Sequence, residues 1–226
     1  SVLESHSNPP RASRAYALVS VAMYDALVAL SRSEASKDYA EPCALEPALS
    51  PVGAVCGAGA SPLEHAVVAG AASTVLSDLF PAQSAEFAAW AQEAAESRLW
   101  AGASLPVDAE AGLALGRQVG ERVVARAHAD RSDTAFTGTI PAGSSRWVPD
   151  LPGFAGPQEP MVGQWQPWNL TSPQQFRPGP PPQVGSAEFA ADLEEVYTIG
   201  QNLTIEQEAI ASDWEDKLGT YTPAGH

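Results

Sequence analysis

The sequence predicts an all-α protein: about six helices in a bundle, with a long Pro/Trp-rich ordered strap between the fourth and fifth. Three observations carry that prediction. Apolar residues recur at three- and four-residue steps along six stretches. Each stretch opens on a helix-start signal, either an Asn, Ser or Thr in the capping position or a proline in the first turn. Hardly any stretch reads as a strand.

The first helix is NPPRASRAYALVSVAMYDALVAL, from an Asn8 cap and Pro9-Pro10 to Leu30. Tyr16, Val19, Met23, Ala26, Leu27 and Leu30 form one apolar face, and Leu18, Val21, Ala22 and Val28 a second. A helix apolar on two sides is expected to be buried among others. It would reach about 33 Å at roughly 1.5 Å per residue, but Arg11, Arg14 and Asp25 oppose a bilayer span. Residues 31–60, with Pro42, Pro47, Pro51 and several glycines, read as a loop.

Ser61 as cap, Pro62 and Glu64 start a second helix that runs to Phe80. Pro81 starts a third, in which Phe87, Trp90, Ala94 and Trp100 are expected to face a core and Gly102 is the stop. Pro106 starts a fourth, with Leu113, Val119, Val123 and Ala127 apolar. Gly112, Gly116 and Gly120 form a flat ridge along it, onto which another helix can close.

Between Pro141 and Pro182 lie eleven of the twenty prolines, with Trp147, Trp165 and Trp168. A disordered linker would be poor in aromatics, so these tryptophans with Phe154, Met161 and Phe176 predict an ordered strap whose aromatics fill grooves. Ser186 caps a fifth helix with Phe189, Leu193, Val196 and Tyr197 apolar and Gly200 as the stop. Thr204 and Gln207 make a capping box for a sixth, with Ile205, Ala209, Ile210 and Trp214 as its core face. The predicted organisation is one helical domain or half-domain over 1–226: four helices in 1–133, the strap in 134–185, two helices in 186–216 and a tail in 217–226.

A net charge of −15 argues against nucleic acid and against anionic membrane surfaces as partners. No continuous apolar run is long enough to predict a membrane span, and the first residues show no signal peptide, as in a mature product whose leader is gone or in a trimmed chain. Cys43 and Cys56 share one Pro/Ala/Gly-rich loop and are read as a disulfide, which implies export; two separate buried thiols are the alternative.

No convincing active site assembles from the residues. There is no zinc spacing and no phosphate-binding glycine loop. His65 and His128 read as packed or solvated helix residues, and Asp192, Glu194 and Glu195 as a solvated acidic face. Asn169-Leu170-Thr171 and Asn202-Leu203-Thr204 match the N-glycosylation pattern, which short stretches often do by chance. The expectation is therefore no catalytic, cofactor-binding or metal-binding residue in this chain.

Several segments together resemble one family. The opening NPPRASRAYALVSVAMYDALVAL and the segment HAVVAGAASTVLSDLFP are similar to the first two helices of bacterial vanadium-dependent haloperoxidase-like proteins, within the type 2 phosphatidic acid phosphatase superfamily. Trp147-Val148-Pro149, Gln175-Phe176-Arg177-Pro178 with Pro180-Pro181-Pro182, SAEFAADLEEVYTIG, TIEQEAIASDW and GTYTPAGH follow in the family's order. The resemblance implies a secreted or periplasmic helical protein. It also implies vanadate, or phosphate as substrate, in the complete protein, for halide oxidation by peroxide or phosphate-ester hydrolysis.

The family's oxyanion motifs are Lys followed after six residues by Arg-Pro; Pro-Ser-Gly-His; and Ser-Arg followed after five residues by His. None is present: Lys37 and Lys217 are followed at the seventh place by Ala44 and Ala224, and Pro223-Ala224-Gly225-His226 lacks the serine. The chain therefore resembles the N-terminal half of such a protein, inactive alone. Its expected partner is a catalytic half in the same or a second chain, with homo-oligomerisation left open. The alternatives are a stand-alone non-catalytic helical interaction or binding module, and an acidic binding protein whose tryptophan-rich strap forms a ligand groove.

Overall fold

At the start of the first helix, Asn8 Oδ1 accepts the backbone N–H of Arg11 at 3.1 Å, the cap the sequence calls for. In the computed structural model, which describes residues 8–34, 63–143, 146, 148 and 156–213, this helix is α1, Pro9–Glu34. It is followed by α2 (Glu64–Leu79), a 3-10 turn at Pro81–Gln83, α3 (Ser84–Trp100) and α4 (Pro106–Ala129). After another 3-10 turn at Val162–Gln164 come α5 (Ala187–Gln201) and α6 (Ile205–Asp213). The described residues contain no strand, so the fold is all-helical. Cys43, Cys56, Trp147, Phe154, Trp214 and His226 lie outside the described residues.

The chain divides into two compact units. One holds α1 from Ser13 onward, α2, α3, α4 and the segment Gln164–Thr171. Its larger core joins Leu18, Ala22, Ala26 and Leu30 of α1 to Val67, Ala71 and Val75 of α2 and Leu115, Val119 and Val123 of α4. A smaller core of Ala66, Ala91, Ala95, Ala109 and Leu113 joins α2, α3 and α4. The predicted glycine ridge is real: a Cβ on Gly112 would lie 2.8 Å from the Leu63 carbonyl oxygen, and one on Gly120 2.9 Å from that of Ala71. Gly70 of α2 returns the contact, its Cβ position falling 2.6 Å from Leu113 O. Backbones this close leave no room for side chains between them, so the glycines are kept despite their helix cost.

Several expectations need correction. α1 runs to Glu34 rather than stopping at Leu30. Its buried face is Leu18, Val21, Ala22, Ala26, Val28, Ala29 and Leu30, while Tyr16, Met23 and Leu27 are exposed. In the core Leu18, Val21, Ala22, Ala26, Ala29 and Leu30 join Val67, Ala71 and Val75 of α2 and Leu115, Val119 and Val123 of α4. α2 starts at Glu64 with an extended Leu63 before it, not at a Ser61 cap. Leu63 N donates to Asp108 O at 3.3 Å, a tertiary bond between the starts of α2 and α4. In α3, Phe87 is buried as expected and meets Trp90 edge to face at 5.8 Å. Trp90 and Trp100, however, are exposed, because Ala91 and Ala95 form a contact too narrow for indoles. Gly102 does end the helix region, at φ +68°, with its N–H donating to Leu99 O at 2.9 Å.

Part of the strap is laid on the bundle. Arg126 of α4 lies 3.4 Å over the Trp168 ring and donates to Pro167 O at 3.0 Å, while Gln166 N donates to Asp130 O at 2.9 Å. Phe176, expected in a groove, is 75% exposed.

The second unit contains α5 and α6. Ser186 caps α5 by accepting Phe189 N at 3.1 Å, and α5 passes Gly200 to end at Gln201. Thr204 and Gln207 form the expected reciprocal capping box, at 2.9 and 3.3 Å. Neither helix has a buried residue. Leu193, Val196, Tyr197 and Ile210, expected to face a core, are exposed, and Ile205 is 82% exposed.

Candidate functional site

The two helical histidines each take a partner across the bundle. His65, in the first turn of α2, accepts at Nε2 from Arg98 Nη2 of α3 at 2.5 Å. His128, in the last turn of α4, donates from Nε2 to Asp78 Oδ1 of α2 at 2.9 Å. Both pairs lie at the surface. They join residues 33 and 50 positions apart, so no local pattern announces them.

The arginines with observed partners are engaged one at a time. Arg14 of α1 donates from Nε to Asp130 Oδ2 at 2.8 Å and from Nη2 to Ala127 O at 2.8 Å. Burial pushes the Asp130 carboxyl up, but the hydrogen bonds from Arg14 and Ser132 outweigh it and hold the group below its ordinary range. In the other unit Arg11 donates from Nε to Glu159 Oε1 at 2.5 Å, and Asn8 Nδ2 reaches the same oxygen at 2.9 Å. Those bonds, Arg11's foremost, lower the Glu159 pKa. Arg126 is spent on Trp168 and Pro167 O. A pentavalent vanadate or a phosphoryl transition state needs several preorganised cations and N–H donors around one point. These arginines instead clamp helix ends and the strap.

Asp192, Glu194 and Glu195 lie exposed on α5. Among the described residues no three His, Cys, Asp or Glu side chains gather as metal ligands would. The Pro223-Ala224-Gly225-His226 sequence falls outside the described residues.

The unpartnered features are apolar. On α1, Tyr16, Met23, Tyr24 and Leu27 form an exposed stripe at helical spacing. On α5, Leu193, Val196 and Tyr197 form another, with Ile205 and Ile210 exposed on α6. One described helix, α1 over Pro9–Ser31, is long and apolar enough to cross a membrane by length and composition; 44% of its 18-residue apolar window is buried inside the protein, and it carries Asp25 fully buried.

Residues 55–133, which contain α2, α3 and α4, match the family model of the VCPO second helical-bundle domain. This region is vanadium haloperoxidase-like. No curated protein and no solved structure matches the chain.

Proposed function

We infer, from a vanadium haloperoxidase-like helical region at residues 55–133, that this chain is the scaffold and channel-wall portion of an exported vanadium haloperoxidase-like or acid phosphatase-like protein. In this reading a catalytic half, in the same polypeptide or a second one, supplies the cations that hold vanadate or phosphate. The family match carries the reading. The exposed apolar stripes of α1 and α5 support it, since monomers rarely leave contiguous apolar surface uncovered. The way Arg11, Arg14 and Arg126 are used supports it as well, because each is committed to a structural contact.

Two measurements test it. The protein purified from its native source should be much heavier than 23.6 kDa, or should carry a tightly bound second polypeptide. A native species of that mass with nothing bound would favour the stand-alone interaction module. The 226-residue chain alone should show no vanadate-dependent oxidation of bromide or chloride, and measurable turnover would overturn the assignment of chemistry to another half.

Export to the periplasm or outside the cell belongs to the same proposal, with Cys43 and Cys56 joined there as a disulfide. Peptide mapping of the unreduced native protein should then find Cys43 and Cys56 linked to each other; both recovered as free thiols would remove the disulfide.

A further inference from the structure

The Pro/Trp-rich strap carries a strained residue. Glu159 has φ +41°, in the left-handed region that residues other than glycine seldom occupy. Pro160 follows it, and a residue before proline is pushed toward extended backbone. Glu159 nonetheless closes a turn, in which Val162 N donates to Glu159 O at 2.9 Å. A conformation this sparsely populated persists only where its surroundings fix it, and such residues gather at clamps and switches.

What fixes it is the Glu159 carboxylate. Arg11 of α1 donates from Nε to Oε1 at 2.5 Å and from Nη2 to Oε2 at 3.1 Å, a two-pronged pairing. Asn8 Nδ2 donates to Oε1 at 2.9 Å, while Asn8 Oδ1 caps α1. The Glu159 side chain is only 14% exposed. Among the described residues the charged group that acts on it is Arg11, and Asn8 adds a neutral donor. The Arg11 hydrogen bond outweighs burial and holds the carboxyl below its ordinary value. The attachment of Gln164–Thr171 to α4 is of a different kind. It uses the Trp168 ring under Arg126 and the main-chain carbonyls of Pro167 and Asp130, none of which takes up a proton.

We propose that Glu159 is an acid-released latch, which holds residues 156–163 of the strap on the start of α1 and lets them go when its carboxylate takes up a proton. A proton on either oxygen breaks the two-pronged pairing with Arg11. The turn then loses what opposes its strain, Glu159 moves to extended backbone, and the bond from Val162 N to Glu159 O opens. Asn8 keeps its cap on α1, and Gln164–Thr171 keeps its contacts with α4. Because the folded carboxyl sits below the ordinary value of 4.5, the latch is closed above that pH and opens as pH falls through the folded value. It needs neither a second half nor an oxyanion.

The test is an NMR titration of the full chain from neutral to acid pH. The Arg11 Nε–H and Val162 amide resonances should shift together with a midpoint below 4.5, while the Val119 and Val123 amides in the bundle core stay in place. Glu159→Gln keeps the shape and removes the charge. It should hold the Val162 amide near its acid position at neutral pH and abolish its titration. Arg11→Gln should raise the midpoint read at Val162 toward the ordinary value, and it decides the matter if Glu159→Gln does not fold. Core amides that move with the same midpoint would mean that the whole bundle unfolds. A Glu159→Gln protein whose Val162 amide keeps the parent's neutral position would mean that the turn holds without the carboxylate. Either result overturns the latch.

Discussion

Gly116→Ala is expected to lower the stability of the helical bundle by about 3 kcal/mol or more, at the upper end of what overpacking costs. A Cβ at this position would lie 2.1 Å from Val67 O, 2.8 Å from Ala71 N and 3.0 Å from Val67 C. All three are backbone atoms of α2, and none can rotate away as a side chain could. Relief therefore requires α4 to move off α2. That would open the core in which Val67, Ala71 and Val75 meet Leu115, Val119 and Val123. The gain in helix propensity from replacing glycine, roughly 1 kcal/mol, is too small to offset this. Urea unfolding followed by circular dichroism should show a lower midpoint at unchanged slope. Gly200→Ala is the matched control: no heavy atom lies within 4 Å of its Cβ position, so α5 should keep or gain helicity. A Gly116→Ala protein as stable as the parent would mean that α2 and α4 are not in backbone contact.

Local signals were legible in the sequence because they act over three or four residues. Asn8 with Arg11, Ser186 with Phe189, and Thr204 with Gln207 each form the cap that their spacing predicts. The glycine ridge was legible too, since three helix-weakening residues on one face need a packing reason.

Features set by a neighbour in space were not legible. α1 has apolar residues on two faces, and only its place against α2 and α4 decides that Leu18, Ala22 and Ala26 go inward while Tyr16, Met23 and Leu27 stay out. Trp100 reads as core by its period but is 72% exposed, because α3 meets its neighbours through alanines. The start of α2 depended on a bond from Leu63 to Asp108, which no helix-start rule contains.

The arginine clamps were not legible either. Arg14 and Asp130 are 116 positions apart, and nothing at either end announces the other.

Arg14→Met should cost about 3–5 kcal/mol at neutral pH, the range for stranding one partner of a buried ion pair. The side chains of Arg14 and Asp130 are only 18% and 6% exposed. Asp130 accepts Arg14 Nε on one oxygen and Ser132 N, at 2.8 Å, on the other. Arg14 also donates to Ala127 O in the last turn of α4, where a cation complements the helix dipole. The substitution keeps the apolar stem and removes both Arg14 bonds, while the Ser132 N–H still reaches Asp130. It leaves a carboxylate out of water with no cation.

The sign of the pH dependence separates this account from a loss of packing. In the parent, Asp130 is held below its ordinary value, so its contribution is present above the unfolded pKa, about 3.9, and is lost as pH falls through the folded one. In Arg14→Met, burial is opposed by the Ser132 hydrogen bonds alone, and the carboxyl pKa should rise above its value in the parent. Protonation of Asp130 then costs the folded form less than in the parent, so the variant should lose less stability as pH falls. The gap between parent and variant should therefore be widest at neutral pH and narrow on acidification. Replacing both partners, as Arg14→Met with Asp130→Leu, should recover part of the loss, because no buried charge remains. Urea midpoints for the three proteins across that pH range would show it; a gap that stays constant with pH would mean that Arg14 contributes through its stem and not through its charge.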